Sequence, residues 1–265
     1  MTGNGRKTSR FDRILVVDPN MATARLLANL LRSLRPSAQV YGARDPKVAM
    51  LLAGEVEPGL VFVEAAGPSL DGMAFTRALR RSDLDARETP VIMVFAEAKA
   101  AQILAARDCG VHEFLRRPIT LGDLERRLAA VSGRPRDWIE AVNYVGPDRR
   151  RFNSADYLGP NKRCSDRTKK ANKITQALRI IQSASRQIEA EPVQAARALN
   201  TQARILMELA AGQAPLKRLG AAAASLQAYL QIAAQRGGPL AKDQVDTYAA
   251  NVLLAAPDGA RHEAA

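Results

Sequence analysis

Short apolar runs alternate with amphipathic segments along the first half of the chain. Arg13-Ile14-Leu15-Val16-Val17 is a β-branched run stopped by Asp18-Pro19 and predicts a strand. Residues 20–34 place Leu26, Leu27, Leu30, Leu31 and Leu34 on one helical face. Ala38-Gln39-Val40-Tyr41 predicts a second strand, and residues 46–53 a short helix closed by Gly54. Leu60-Val61-Phe62-Val63 is apolar at every position, as expected of a strand covered on both faces. A helix is predicted over 71–81, a strand at Val91-Ile92-Met93-Val94-Phe95, and a helix over 97–109 ending before Gly110. His112-Glu113-Phe114-Leu115 is a fifth strand. Thr120 caps a last helix over 121–131, with Asp123 completing a capping-box variant. Five strands alternating with five helices predict an α/β fold, a doubly wound five-stranded parallel sheet. Function in such sheets lies at the carboxyl ends of the strands, which here carry Asp18, Glu64, Phe95 and Arg117.

The pattern changes after residue 132. Residues 174–256 are rich in Ala, Leu, Gln and Ile and predict four helices: Ile174 to Ile188, Pro192 to Ala211, Pro215 to Gln235 and Leu240 to Ala255. Pro192 suits a helical first turn, and Gly237-Gly238-Pro239 breaks the chain. Such an all-α C-terminal region suits a small bundle or a homo-oligomerisation module. Between the two regions, residues 133–173 are aperiodic and carry Pro135, Pro147 and Pro160. The chain has a net charge of +12, and residues 134–173, with 11 basic and 5 acidic side chains, hold half of it. They are expected to be a basic linker. Residues 1–10 and 257–265 are expected to be disordered tails, and Trp138 to anchor a short helix near 137–142.

Composition narrows the chemistry. Two cysteines, Cys109 and Cys164, exclude a disulfide scaffold and a Cys-rich zinc site and fit a reducing compartment. His112 and His262 are far apart, which argues against a His-based metal cluster or hydrolytic triad. No histidine lies between 113 and 261, so the helical region is not expected to relay phosphate. No apolar run suffices for a membrane span, and the polar N-terminus lacks a signal peptide's apolar core. A cytoplasmic protein is expected.

The runs ending in Asp18 and Glu64, the segment Gly67-Pro68-Ser69-Leu70-Asp71-Gly72, Pro90 to Ala96, and Gly110 to Pro118 carry a resemblance. In order, spacing and strand context, residues 11–132 resemble the receiver domain of two-component response regulators, a flavodoxin-like sheet. The resemblance implies self-phosphorylation on an Asp ending the third strand. Two acidic residues after the first strand would help hold Mg²⁺, and a Ser/Thr and a Lys would contact the phosphoryl oxygens. Asp18 matches the first acidic position, while Pro19 replaces the second. Glu64 stands at the acceptor position, one methylene longer than Asp. Phe95 replaces the hydroxyl residue, Arg117 replaces the Lys, and Phe114 matches the aromatic switch. Pro118 and Asp71-Gly72 keep the structural pattern. These departures imply a degenerate pocket, a pseudo-receiver that is not phosphorylated and needs no cofactor. Glu64 and Arg117 are expected to form an ion pair across it.

The basic linker contains a repeat. Tyr144-Val145-Gly146-Pro147-Asp148-Arg149-Arg150 is matched thirteen residues later by Tyr157-Leu158-Gly159-Pro160-Asn161-Lys162-Arg163. A Gly-Pro bend would present Arg149, Arg150 and Arg151, or Lys162 and Arg163, beside a Tyr ring. Guanidinium groups grip phosphates and guanine edges while rings stack on bases, so the segment is a candidate nucleotide site. It is similar in composition to the Arg-rich extensions of some degenerate receivers, a resemblance that implies the cyclic dinucleotide cyclic di-GMP as the ligand. Docking on a protein and a solvated linker are the competing readings. No helix-turn-helix or basic recognition helix is evident, which argues against DNA. The expected function is a non-enzymatic signalling adaptor that binds a signalling protein. A cyclic di-GMP effector and an atypical receiver phosphorylated on Glu64 or Asp71 are the alternatives.

Overall fold

The computed structural model describes residues 11–97, 99–133, 136–149 and 166–264. They form two compact units, one of residues 11–139 and 144–149, the other of 140–143 and 166–264.

The first unit is the doubly wound sheet. Strands β1 (Arg13–Val17), β2 (Gln39–Ala43) and β3 (Leu60–Glu64) alternate with helices α1 (Met21–Leu34) and α2 (Pro46–Val56). A two-residue ladder follows, β4 (Ala66–Gly67) with β5 (Leu70–Asp71), and leads into α3 (Gly72–Arg81). β6 (Val91–Phe95), α4 (Ala100–Asp108), β7 (Glu113–Arg116) and α5 (Leu121–Gly133) complete it. The sheet order is β2-β1-β3-β6-β7, with every pairing parallel. Alternate residues of the strands feed two apolar layers. Leu15, Val17, Val61, Val63, Met93 and Phe95 pack with α2, α3 and α4 residues such as Ala49, Phe75, Leu79 and Ala106. Ile14, Val16, Phe62, Ile92 and Val94 pack with Leu27, Leu31, Leu124 and Leu128 of α1 and α5. Helices on both faces explain why β3 has no polar alternation.

Caps fix the helix starts. The Asn20, Asp45 and Asp71 side chains accept backbone N–H bonds at α1, α2 and α3. Thr120 accepts from the Asp123 amide at 3.1 Å, as the capping box predicts. Two boundaries differ from expectation. Helix α2 runs through Gly54 to Val56 and ends on Glu57 in the left-handed region at φ 44. Helix α4 starts at Ala100, three residues later than expected.

The expected linker is partly folded. Residues 138–140 form strand β8 (Trp138–Glu140), not a helix, paired in a small sheet with β9 (Val145–Pro147). The Tyr144 hydroxyl donates to the Pro147 carbonyl at 2.6 Å, and the Asp148 amide to the Asp137 carbonyl at 2.8 Å. Gly110, at φ +94, and Gly146 let two backbones touch: a Cβ on Gly146 would lie 2.7 Å from the Gly110 Cα. This close fit, with Trp138 lying under the Arg80 guanidinium, makes residues 136–139 and 144–149 part of the first unit. Composition alone marks this segment as linker, because its burial rests on long-range contacts.

The second unit comprises α6 (Asp166–Arg186), α7 (Pro192–Ala210), α8 (Lys217–Arg236), α9 (Lys242–Ala255) and α10 (Asp258–Ala264). Its core includes Ile174, Leu178, Ile181, Leu199, Leu206, Leu219, Leu226 and Val252. The Gln194 and Gln202 side chains donate to the Glu140 carboxylate and carbonyl at 2.7 and 3.0 Å, satisfying a buried acid. The four predicted helices are present. The expected disordered tail at 257–265 is corrected: α10 covers most of it, and Arg261 donates to the Ala256 carbonyl at 3.1 Å, closing the end of α9. Among the described residues, no helix is long and apolar enough to cross a membrane.

Candidate functional site

The carboxyl ends of β1, β3, β6 and β7 bring Asp18, Glu64, Phe95 and Arg117 together, because neighbouring parallel strands end in register. The Arg117 amide donates to the Phe95 carbonyl at 2.9 Å, which pins the Arg117 backbone to the end of β6. One guanidinium nitrogen, Nη2, then donates to both carboxylates: 2.6 Å to Glu64 Oε2 and 3.0 Å to Asp18 Oδ2. The expected Glu64–Arg117 ion pair is present, and Asp18 is drawn into it as well.

Asp18 is buried and fully engaged. Its Oδ1 accepts from the Asn20 amide at 2.8 Å, and its Oδ2 also accepts from the Thr23 hydroxyl at 2.6 Å. The Pro19 ring packs so tightly on Gly67 that a Cβ there would sit 2.5 Å from Pro19 Cγ. The Phe95 ring belongs to the apolar layer and is 2% exposed, so it offers the site no polar atom. Phe114 is half-buried, with the Arg127 guanidinium 5.2 Å from its ring centroid. Asp71, an alternative acceptor, caps α3 by accepting from the Met73 and Ala74 amides at 3.0 and 2.9 Å.

Burial raises the Glu64 pKa above the ordinary carboxylate range, the Arg117 bond and charge pull it back down, and the Asp18 charge adds to the rise. The folded state therefore binds this proton more tightly than the unfolded chain. Glu64's contribution to stability is full below the ordinary carboxylate pKa and declines as pH rises through the folded value. In Glu64→Gln this decline should vanish. Urea unfolding from about pH 4 to about pH 7 reads it as a flatter stability curve.

The Mg²⁺ implied by the resemblance does not fit these residues. Asp18 spends both oxygens on internal donors, Pro19 has no ligand atom, and Glu64 turns Oε2 toward Arg117. Among the described residues, no group of three or more His, Cys, Asp or Glu could hold a metal ion.

Of the candidate nucleotide-binding residues, the structure brings Tyr144 and Arg149 together. Arg150, Arg151, Tyr157, Lys162 and Arg163 lie outside the described residues. Tyr144 does not present the open stacking face that the sequence suggested. It is 8% exposed, the Arg149 guanidinium covers its ring at 4.8 Å, and burial pushes its phenol up to about 12. Arg149 also pairs with Asp108 at 2.9 Å.

Sequence reasoning missed Arg80, which is 1% exposed. Its Nε donates to the Gly110 carbonyl at 2.9 Å, and its Nη1 to those of Arg87 and Thr89 at 2.6 and 2.9 Å. Its Nη2 lies 3.2 Å from His112 Nδ1, and its guanidinium 5.3 Å from the Trp138 ring centroid. A signal existed: Gly72, Phe75, Thr76 and Leu79 form the buried face of α3, and position 80 continues that face.

The response regulator receiver domain family matches residues 14–129. Chemotaxis protein CheY-3 of Vibrio cholerae is 29% identical over 116 residues, 44% of this chain and 88% of that protein. Response regulator PleD of Caulobacter vibrioides is 35% identical over 117 residues, 44% of this chain and 24% of that protein. The cyclic di-GMP phosphodiesterase response regulator RpfG of Xanthomonas campestris is 29% identical over 114 residues, 43% of this chain and 30% of that protein. The chain thus spans less than a third of the length of PleD and RpfG. Among solved structures, Vibrio cholerae CheY4 is similar at 20% identity and a TM-score of 0.42, covering 46% of this chain and 98% of that one. With its five-stranded parallel sheet in the order β2-β1-β3-β6-β7, the segment from residue 14 to residue 129 is a response regulator receiver domain.

Proposed function

We propose that the chain is a cytoplasmic two-component signalling adaptor whose receiver domain is not phosphorylated and acts through protein–protein contact. One observation carries this reading: a single Arg117 nitrogen occupies both Asp18 and Glu64, at 3.0 and 2.6 Å. In-line attack on a phosphodonor needs a free carboxylate oxygen and fixed charge on the transferring group. Here Oε2, one of the two Glu64 oxygens, is bonded to a cation that also holds Asp18, and Phe95 supplies no hydroxyl for the phosphoryl oxygens. With no group-transfer step left to it, the domain serves as a folded surface for a signalling protein. The helical unit serves a partner or a second copy of the chain.

The cyclic di-GMP reading is the weaker one. It draws on the relative named as a cyclic di-GMP phosphodiesterase and on the Arg-Tyr repeat, but Tyr144 already holds Arg149 on its ring. The test is incubation of the full chain with acetyl phosphate and Mg²⁺, followed by intact-mass measurement. The expected spectrum is that of the unmodified chain. A phosphoryl adduct mapped to Glu64 or Asp71 overturns the proposal.

A further inference from the structure

Resting on the reading above and deepening it, we infer that Arg117 is an internal cation that replaces the divalent metal of the receiver pocket, making this domain's conformation independent of Mg²⁺. The two carboxylates of the site converge on one point. That point is Arg117 Nη2, 2.6 Å from Glu64 Oε2 and 3.0 Å from Asp18 Oδ2. Two ionised carboxylates aimed at one position repel unless a positive charge or a shared proton stands between them. A divalent ion does this from solution, at a free-energy gain set by its concentration. A tethered guanidinium does it at every ion concentration.

The surroundings are built for the tethered cation. The Arg117 amide is anchored to the Phe95 carbonyl at 2.9 Å, so the side chain starts from a fixed place. The Asn20 amide and Thr23 hydroxyl hold Asp18 with its Oδ2 toward Arg117. Pro19 fills, against Gly67, the position from which a second acidic side chain would reach a metal. The side chains of Asp18, Glu64 and Arg117 are 5, 11 and 22% exposed, so the attraction is little screened by water. Removing the guanidinium leaves two carboxylates with nothing between them, and a divalent cation becomes the natural replacement.

The experiment compares thermal unfolding of the full-length chain in EDTA with that in Mg²⁺ or Mn²⁺. It uses the wild type, Arg117→Gln, and the double variant Glu64→Gln/Arg117→Gln. The wild-type midpoint should move by less than about 1 °C between EDTA and about 10 mM Mg²⁺. Arg117→Gln should melt lower in EDTA and recover by about 5 °C with Mg²⁺ or Mn²⁺. The double variant, left with one carboxylate, should lose that response.

An equal metal response in wild type and Arg117→Gln overturns the inference. So does an Arg117→Gln chain that melts identically with and without metal, or that folds in neither while the double variant folds. These outcomes are separable from failure of the adaptor reading. A phosphoryl adduct on the wild type would end that reading, whereas the metal response of Arg117→Gln is read without any phosphodonor.

Discussion

Replacing Arg80 by alanine should destabilise the receiver unit by about 4 kcal/mol, one of the two largest single-residue effects expected in this chain. The substitution leaves the carbonyls of Gly110, Arg87 and Thr89 without their donor in a site that is 1% exposed. It also removes the cation above the Trp138 ring. Burial pushes the Arg80 guanidinium down to about 10, so it is still charged at neutral pH. Lysine does not rescue it, because one ammonium cannot reproduce a planar fork that spans three carbonyls in different directions. Arg80→Lys should therefore lose at least about 2 kcal/mol. Urea unfolding gives the stability, and the chain's single tryptophan reports the site directly. Trp138 emission should shift to the red in Arg80→Ala before the global transition. A loss under about 1 kcal/mol with unchanged emission would contradict the role given to Arg80.

Gly72→Ala should be comparably damaging, at about 3 kcal/mol, for a different reason. The Gly72 amide donates to the Ala65 carbonyl at 3.0 Å, and a Cβ on Gly72 would lie 2.2 Å from the Glu64 carbonyl oxygen. Both clashing groups are backbone, so no rotamer change relieves the overlap. The end of β3 must move, and it carries Glu64 out of line with Arg117. The variant should accordingly lose stability and alter the Glu64 pH response together. Gly42→Ala is the control, since a Cβ there meets nothing within 4 Å. It should stay within about 0.5 kcal/mol of wild type. Equal stabilities for the two variants would contradict the close approach at Gly72.

The residues that spoke most clearly in the sequence are those whose role is set locally or by repetition. The apolar runs at Ile14–Val17, Leu60–Val63 and Val91–Phe95 could only be covered strands, and their polar endpoints Asp18 and Glu64 marked the edge where the site lies. Opposite charge at strand ends foretold the Glu64–Arg117 pair. Adding Asp18 to that pair required the β1–β3 register, which no local pattern carries.

The segment from 136 to 149 was opaque for the same reason. Its prolines and charges suggest a linker, but Gly146 meets Gly110 and Trp138 meets Arg80 across long stretches of chain. Short β8 and β9 have too few residues to show a period, so the sequence around Trp138 suggests a helix where the structure has a strand. The role of Arg80 is not legible in the sequence, because its carbonyl acceptors on Gly110, Arg87 and Thr89 are set by the fold and not by any local pattern. At the C-terminus, α10 is too short and polar to show a pattern, and Arg261 supplies the contact that composition omits.

If the Arg117 contacts to Asp18 and Glu64 close the pocket, it takes up neither Mg²⁺ nor a phosphoryl group. The most direct measurement is the amide NMR spectrum of the full chain, titrated with Mg²⁺ and then with acetyl phosphate. The amides of Asp18, Glu64, Ala65 and Arg117 should stay in place through both additions. A saturable shift of those amides with Mg²⁺, followed by a new set of peaks with the phosphodonor, would contradict this closure.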